Sequence, residues 1–224
     1  PVFPPRQVAN YPKPPARFQQ GDRLSTLWYP TATRLPGGKV MVVSGFVNCC
    51  NKQDGRLDFQ PNNAVHIFDA ASADKPIRTL VPHDKSSTNI APGQKDYTHS
   101  LLLYKPVQLN GKEYQVALIG FNGAVTLFNF ETKEFIVPPN GRRPAEQRGA
   151  SEATWNSSAA LLPSGEIMIF GGSSNRTTAQ RADIYDPYEF SWRHIDTGIG
   201  RENPSLVLLP DGKIMVANGW ADGQ

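Results

Sequence analysis

Cysteine is nearly absent from this chain. Two residues in 224 carry a thiol, and they are neighbours, Cys49 and Cys50. A disulfide framework is thereby excluded, because adjacent thiols can only close a strained ring, pair outside the chain or stay free. Charge is sparse as well: Asp, Glu, Lys and Arg make 19% of the residues, and the formal net charge is +3. The lysines and arginines are scattered rather than clustered, so no nucleic-acid partner is expected. No apolar run reaches the length of a membrane span, and no membrane-crossing helix is expected. Uninterrupted runs of good helix formers are missing, broken by 20 prolines and 19 glycines. That excludes helical bundles and coiled coils. No zinc pattern, phosphate-binding glycine loop or nucleophile elbow is present, and His66, His83 and His194 show no ligand spacing.

What the chain has instead is aromatics (10%) and turns. It opens on Pro1-Val2-Phe3-Pro4-Pro5 without a Met, as a mature or partial chain would. Residues 1–22, with six prolines (Pro1, Pro4, Pro5, Pro12, Pro14 and Pro15), read as an extended arm or linker. A pattern then recurs. Trp28 to Gly45, Trp155 to Gly172 and Glu202 to Gly219 are three copies of strand, tight turn, strand and glycine, and Tyr97 to Gly120 is a looser fourth. Pro-Asp-Gly and Asn-Gly supply the turn, because glycine tolerates the positive φ that hairpins require. The second strands, 40–43, 167–170 and 214–217, are nearly all apolar and are expected to be buried on both faces. A third strand with an aromatic follows in three copies, at Phe68, Phe128 and Tyr185. In two of them a second aromatic lies seven positions on, Phe135 and Trp192.

This order is the signature of kelch-type propeller blades. The expected fold is all-β: a partial kelch-type β-propeller over 23–224, with blades near 23–80, 94–138 and 150–195 and the first hairpin of a fourth at 200–224. The remainder of a larger ring is then the expected partner. An antiparallel sandwich of hairpins is the competing arrangement. In a propeller the first strand of each blade lines the central channel. Seven residues before the turn proline stand Tyr29, Asn156 and Asn203, with His99 at the corresponding place of the looser copy. Antiparallel return brings Phe46 to Cys50, Ser173 to Asn175, and Trp220 to the same rim. Polar groups converging on one mouth make a candidate ligand site. Each has a plainer reading too: Tyr29 as a packing aromatic, His99 as a hydrogen-bonded loop residue, and the asparagines as backbone caps. The triplets at Asn156 and Asn175 fit N-glycosylation and an extracellular chain.

At Trp28-Tyr29-Pro30-Thr31 through Pro36, and again from Asn203 to Gly212, the chain resembles the galactose oxidase and glyoxal oxidase family, over roughly residues 23 to 220. The resemblance implies a seven-bladed, secreted propeller that oxidises primary alcohols or aldehydes with O2 to give H2O2. It implies copper in the parent protein, with Tyr29 as a ligand in the position of the tyrosine that is cross-linked to a cysteine. His99 is a second candidate metal ligand, and Phe46 and Trp220 are rim aromatics. The family's cysteine precedes its tyrosine, whereas Pro1 to Trp28 contain none. Two functions follow: part of an extracellular copper-radical oxidase, inactive as this chain alone and without bound copper, or a non-catalytic cell-surface propeller that binds glycans or proteins.

Overall fold

The fold is taken from a computed structural model, which describes residues 27–28, 30–47, 60–61, 64–69, 79–82, 99–120, 123–143, 155–174 and 177–221. The arm 1–22, Tyr29, Cys49, Cys50, His83 and Asn175 lie outside the described residues. Turn chemistry sets the strand ends. After β1 (Leu27–Trp28), a single 3-10 turn over Pro36–Gly38 joins β2 (Thr31–Arg34) to β3 (Lys39–Val43), with Gly37 and Gly38 at φ 71° and 75°. Both values lie in the left-handed region that glycine enters without a Cβ penalty. β4 (Phe46–Val47), β5 (Gln60–Pro61), β6 (Ala64–Asp69) and β7 (Thr79–Pro82) follow. The first large sheet has the order β2-β3-β6-β7, and β1-β4-β5 make a small one.

The second large sheet is β8 (His99–Leu109), β9 (Lys112–Ile119), β10 (Val125–Asn129) and β11 (Glu134–Ile136), paired in that order. The third contains β12 (Trp155–Leu161), β13 (Ile167–Ser174), β15 (Arg181–Asp186) and β16 (Ser191–Asp196), with the short β14 (Thr177–Thr178) on β13. A last hairpin joins β17 (Ser205–Leu208) to β18 (Ile214–Ala217). All strand pairings are antiparallel. The first strands of successive sheets lie against one another: β2 on β8, β8 on β12, and β12 on β17.

Period-two alternation explains the packing. Val116, Leu118 and Phe128 of the second sheet meet Met41, Val43, Val65 and Ile67 of the first. Their neighbours Ala117, Ile119 and Leu127 point the other way and meet Ile167, Ile169 and Tyr185 of the third. The second sheet is thus buried on both faces, and β10 is buried at every position. Each side chain of this size that leaves water contributes roughly 1.5–3 kcal/mol. The aromatics spaced seven apart prove to be directly opposite partners, with ring centroids 4.5 Å apart for Phe128–Phe135 and 4.8 Å for Tyr185–Trp192.

One expectation about burial is overturned. Segments 40–43 and 167–170 are strands with buried members, Met41, Val43, Ile167, Ile169 and Phe170. Segment 214–217 is also a strand, but none of its residues is buried, and Met215 is 44% exposed. The cause is local. Among the described residues β18 pairs only with β17, and the hairpin has a sheet on one side only, so its apolar residues have too few neighbours to be covered.

Polar groups fasten the second sheet to the third. Tyr185 donates its hydroxyl to the Pro139 carbonyl at 2.8 Å, and Trp192 Nε1 donates to the Asn140 carbonyl at 2.5 Å. Deeper in, the Arg143 guanidinium pairs with Asp183, both side chains fully buried, and Arg181 Nε stands 3.6 Å from Asp183 Oδ1. Burial pushes the Asp183 carboxyl up, and the Arg143 charge opposes that shift. A buried pair of this kind needs hydrogen-bond geometry to offset its lost hydration.

Candidate functional site

Of the sequence-derived mouth residues, His99, Asn156 and Asn203 fall at or beside the starts of first strands, and each is tied to a neighbouring sheet. His99 opens β8. Its Nε2–H donates to the Ser157 carbonyl of β12 at 3.0 Å, which fixes the tautomer because a carbonyl can only accept. The ring is half-buried, and that desolvation lowers the His99 pKa below its ordinary 6.5 and favours the neutral imidazole. One sheet further on, Asn156 has φ 63° and Asn203 has φ 51°. Asparagine is among the few residues that adopt this left-handed conformation readily. The Asn203 N–H donates to the Asn156 carbonyl at 2.8 Å, and Asn156 Nδ2 donates to Glu202 Oε1 at 2.6 Å. Asn156 Nδ2 is also the atom to which an N-linked glycan would attach.

The glycines that end the second strands complete this joint. Gly171 (φ 72°) lies under the Arg201 carbonyl oxygen, and a Cβ there would run into it. Gly219 (φ 80°) lies in the same way under the Glu202 carbonyl oxygen. The Gly172 N–H donates to the Arg201 carbonyl at 2.9 Å, and Glu202 and Trp220 exchange backbone hydrogen bonds at 2.8 and 2.9 Å. Trp220 itself is 66% exposed. The backbone at Phe46 follows β3 and pairs with Trp28 in the small β1-β4-β5 sheet.

The structure therefore brings Asn156, Asn203 and Trp220 together with Glu202, and carries His99 to the neighbouring joint. It does not gather them into a metal centre. Among the described residues no group of three or more His, Cys, Asp or Glu side chains converges. The Nε2 of His99 is already engaged, and neutral amides are poor copper ligands. The described residues accordingly do not fit a copper site. His66 is buried on β6, and His194 is exposed on β16. Sequence reasoning missed Glu202, Ser157 and Arg201. Their roles come from backbone carbonyls and one carboxylate that no residue spacing marks.

No family model matches the chain, and no curated protein matches it. Among solved structures, one similar chain is a fungal alcohol oxidase of the AA5 family in complex with copper. The identity is 13% and the TM-score 0.47, over 88% of this chain and 48% of that one. The chain thus spans about half the length of that structure. A likeness this remote assigns neither fold nor activity to the chain. Among the described residues no helix is long and apolar enough to cross a membrane.

Proposed function

We propose that the chain is a partial kelch-type propeller from an extracellular protein of the galactose oxidase and glyoxal oxidase lineage. Its three sheets are consecutive blades, and β17–β18 begins a fourth. The observation that carries this reading is the side-by-side run of first strands β2, β8, β12 and β17, in chain order, each opening one antiparallel sheet. The Trp28-Tyr29-Pro30-Thr31 stretch that leads in sequence into β2, the first of these strands, supports the oxidase lineage. Oxidation of a primary alcohol or aldehyde by O2, with release of H2O2, belongs on this reading to the parent protein. The 224 residues contribute Tyr29 and a rigid rim; the copper ligands beyond Tyr29 come from elsewhere in the parent.

A second reading is a non-catalytic propeller that binds glycans or proteins at the cell surface. It is favoured by the engagement of His99 and Asn156 in joints between sheets. Peroxide release separates the two. The copper-loaded parent is expected to produce H2O2 on a panel of primary alcohols and aldehydes and to lose it in Tyr29→Phe, while the 224-residue chain alone produces none. A parent that gives no peroxide, or the same peroxide in Tyr29→Phe, overturns the oxidase reading.

A further inference from the structure

Three Asn-Gly steps lie wholly within the described residues: Asn110-Gly111, Asn140-Gly141 and Asn218-Gly219. Such a step is chemically labile, because glycine has no Cβ to hinder attack of its nitrogen on the asparagine side chain. All three asparagines are exposed, so exposure does not separate them. What holds each pair does. The Gly141 N–H donates to the Pro138 carbonyl at 3.0 Å, and Asn140 Nδ2 donates to the Phe190 carbonyl at 2.9 Å. The Asn140 carbonyl is held in turn by Trp192 Nε1. Gly219 is wedged under the Glu202 carbonyl oxygen, and Arg201 reaches the Asn218 carbonyl at 3.3 Å. Asn110-Gly111 has no such restraint. It is the two-residue turn between β8 and β9, at φ 53° and 72°, and Gly111 faces open space. Among the described residues no hydrogen bond engages the Asn110 side chain or the Gly111 N–H.

We propose that Asn110 is a site of spontaneous deamidation, which turns the tip of the β8–β9 hairpin into aspartate and isoaspartate. Base removes the Gly111 amide proton, and the nitrogen bonds to Asn110 Cγ. The Cγ–Nδ2 bond breaks, and ammonia leaves with a proton from solvent. Water then opens the cyclic imide. Cleavage at Cγ gives aspartate; cleavage at the original peptide carbon gives isoaspartate, whose main chain is one atom longer. The attack requires Asn110 to rotate out of its left-handed turn. That rotation is opposed by the closing Leu109–Lys112 pair and by the exposed Gln108–Glu113 hydrogen bond at 2.6 Å. A hairpin tip so lightly held opens at low cost. The extra atom of isoaspartate then sits inside the turn that sets the Leu109–Lys112 register, so the modification loosens the end of the hairpin.

Site-resolved peptide mapping of the intact chain, held in mildly alkaline buffer, tests this, with enzymatic methylation marking isoaspartate. Asn110 is expected to convert at least ~10-fold faster than Asn140 or Asn218 in the native chain, the margin that a more readily opened turn supplies. In the urea-unfolded chain the three rates are expected to converge. Native conversion at Asn140 or Asn218 as fast as at Asn110 overturns the proposal. So does an Asn110 that converts in urea and stays intact in the native chain. A preference for Asn110 that persists unchanged in urea also overturns it, because the cause then lies in the neighbouring sequence and not in the fold.

Discussion

The Asn203 N–H donates to the Asn156 carbonyl at 2.8 Å, joining the start of one first strand to the start of the next. Two residues on, Ser158 Oγ donates to the Pro204 carbonyl, and two sheets earlier Thr33 Oγ1 donates to the Ser100 carbonyl at 2.8 Å. The same kind of joint recurs from sheet to sheet. Side chains that sequence spacing marks as a ligand mouth are thus also the fasteners of that mouth.

Two glycines at positive φ, Gly37 in a hairpin turn and Gly171 in the joint between sheets, are expected to resist substitution unequally. Gly37→Ala places a Cβ in open space and pays only for its left-handed φ of 71°, about 1–2 kcal/mol. Gly171→Ala adds a collision with the Arg201 carbonyl, a backbone atom that cannot rotate away, and is expected to cost at least ~3 kcal/mol. Urea unfolding of the two variants compares them. Equal losses would show that close approach is not what keeps Gly171 a glycine.

His99 gives the fold a pH dependence of defined sign. Burial lowers its pKa from 6.5, so below that pH the unfolded chain takes up a proton that the folded chain resists. Its contribution to stability is present above pH 6.5 and is lost as pH falls through the lowered folded value. Chemical unfolding followed between pH 8 and 5 is expected to show a smaller loss of stability in His99→Gln than in the unsubstituted chain. An identical pH profile would contradict this account of the ring.

Arg143 and Asp183 lie 40 positions apart and meet only in the fold. Asp183→Leu sets an apolar side chain beside a buried guanidinium and is expected to cost roughly 3–5 kcal/mol. Adding Arg143→Met is expected to restore most of that loss. A double-mutant cycle by urea denaturation reads the coupling, and purely additive losses would show that the two charges do not act as a pair.

Much of the strand order was legible, and particular residues show why. Pro-Asp-Gly and Leu-Asn-Gly-Lys fix turns locally, so β8–β9 and β17–β18 follow from a few residues. Phe128 with Phe135 and Tyr185 with Trp192 are close in sequence because a short turn separates their strands. Burial at 214–217 was not legible, since it depends on which sheet stands next to Met215 and not on Met215 itself. The partners of Asn156 were hidden for a related reason. Glu202 and the Asn203 N–H arrive from another hairpin, and no spacing within either hairpin announces them. The Arg143–Asp183 pair joins a connecting loop to a strand, where the repeat pattern carries no information.

Disulfide trapping between first strands tests the central claim most directly. Thr33 of β2 and Ser100 of β8 touch through side chain and backbone across two different sheets. In a chain carrying Cys49→Ser and Cys50→Ser, the pair Thr33→Cys and Ser100→Cys is expected to close a disulfide under mild oxidation. Thr33→Cys with an exposed position on an outer strand, Arg193→Cys of β16, is expected to form none. Rapid, near-complete closure of the first pair alone is the result predicted for sheets ranged side by side by their first strands. Failure of that pair to close, or closure of both pairs alike, would contradict the arrangement on which the propeller reading stands.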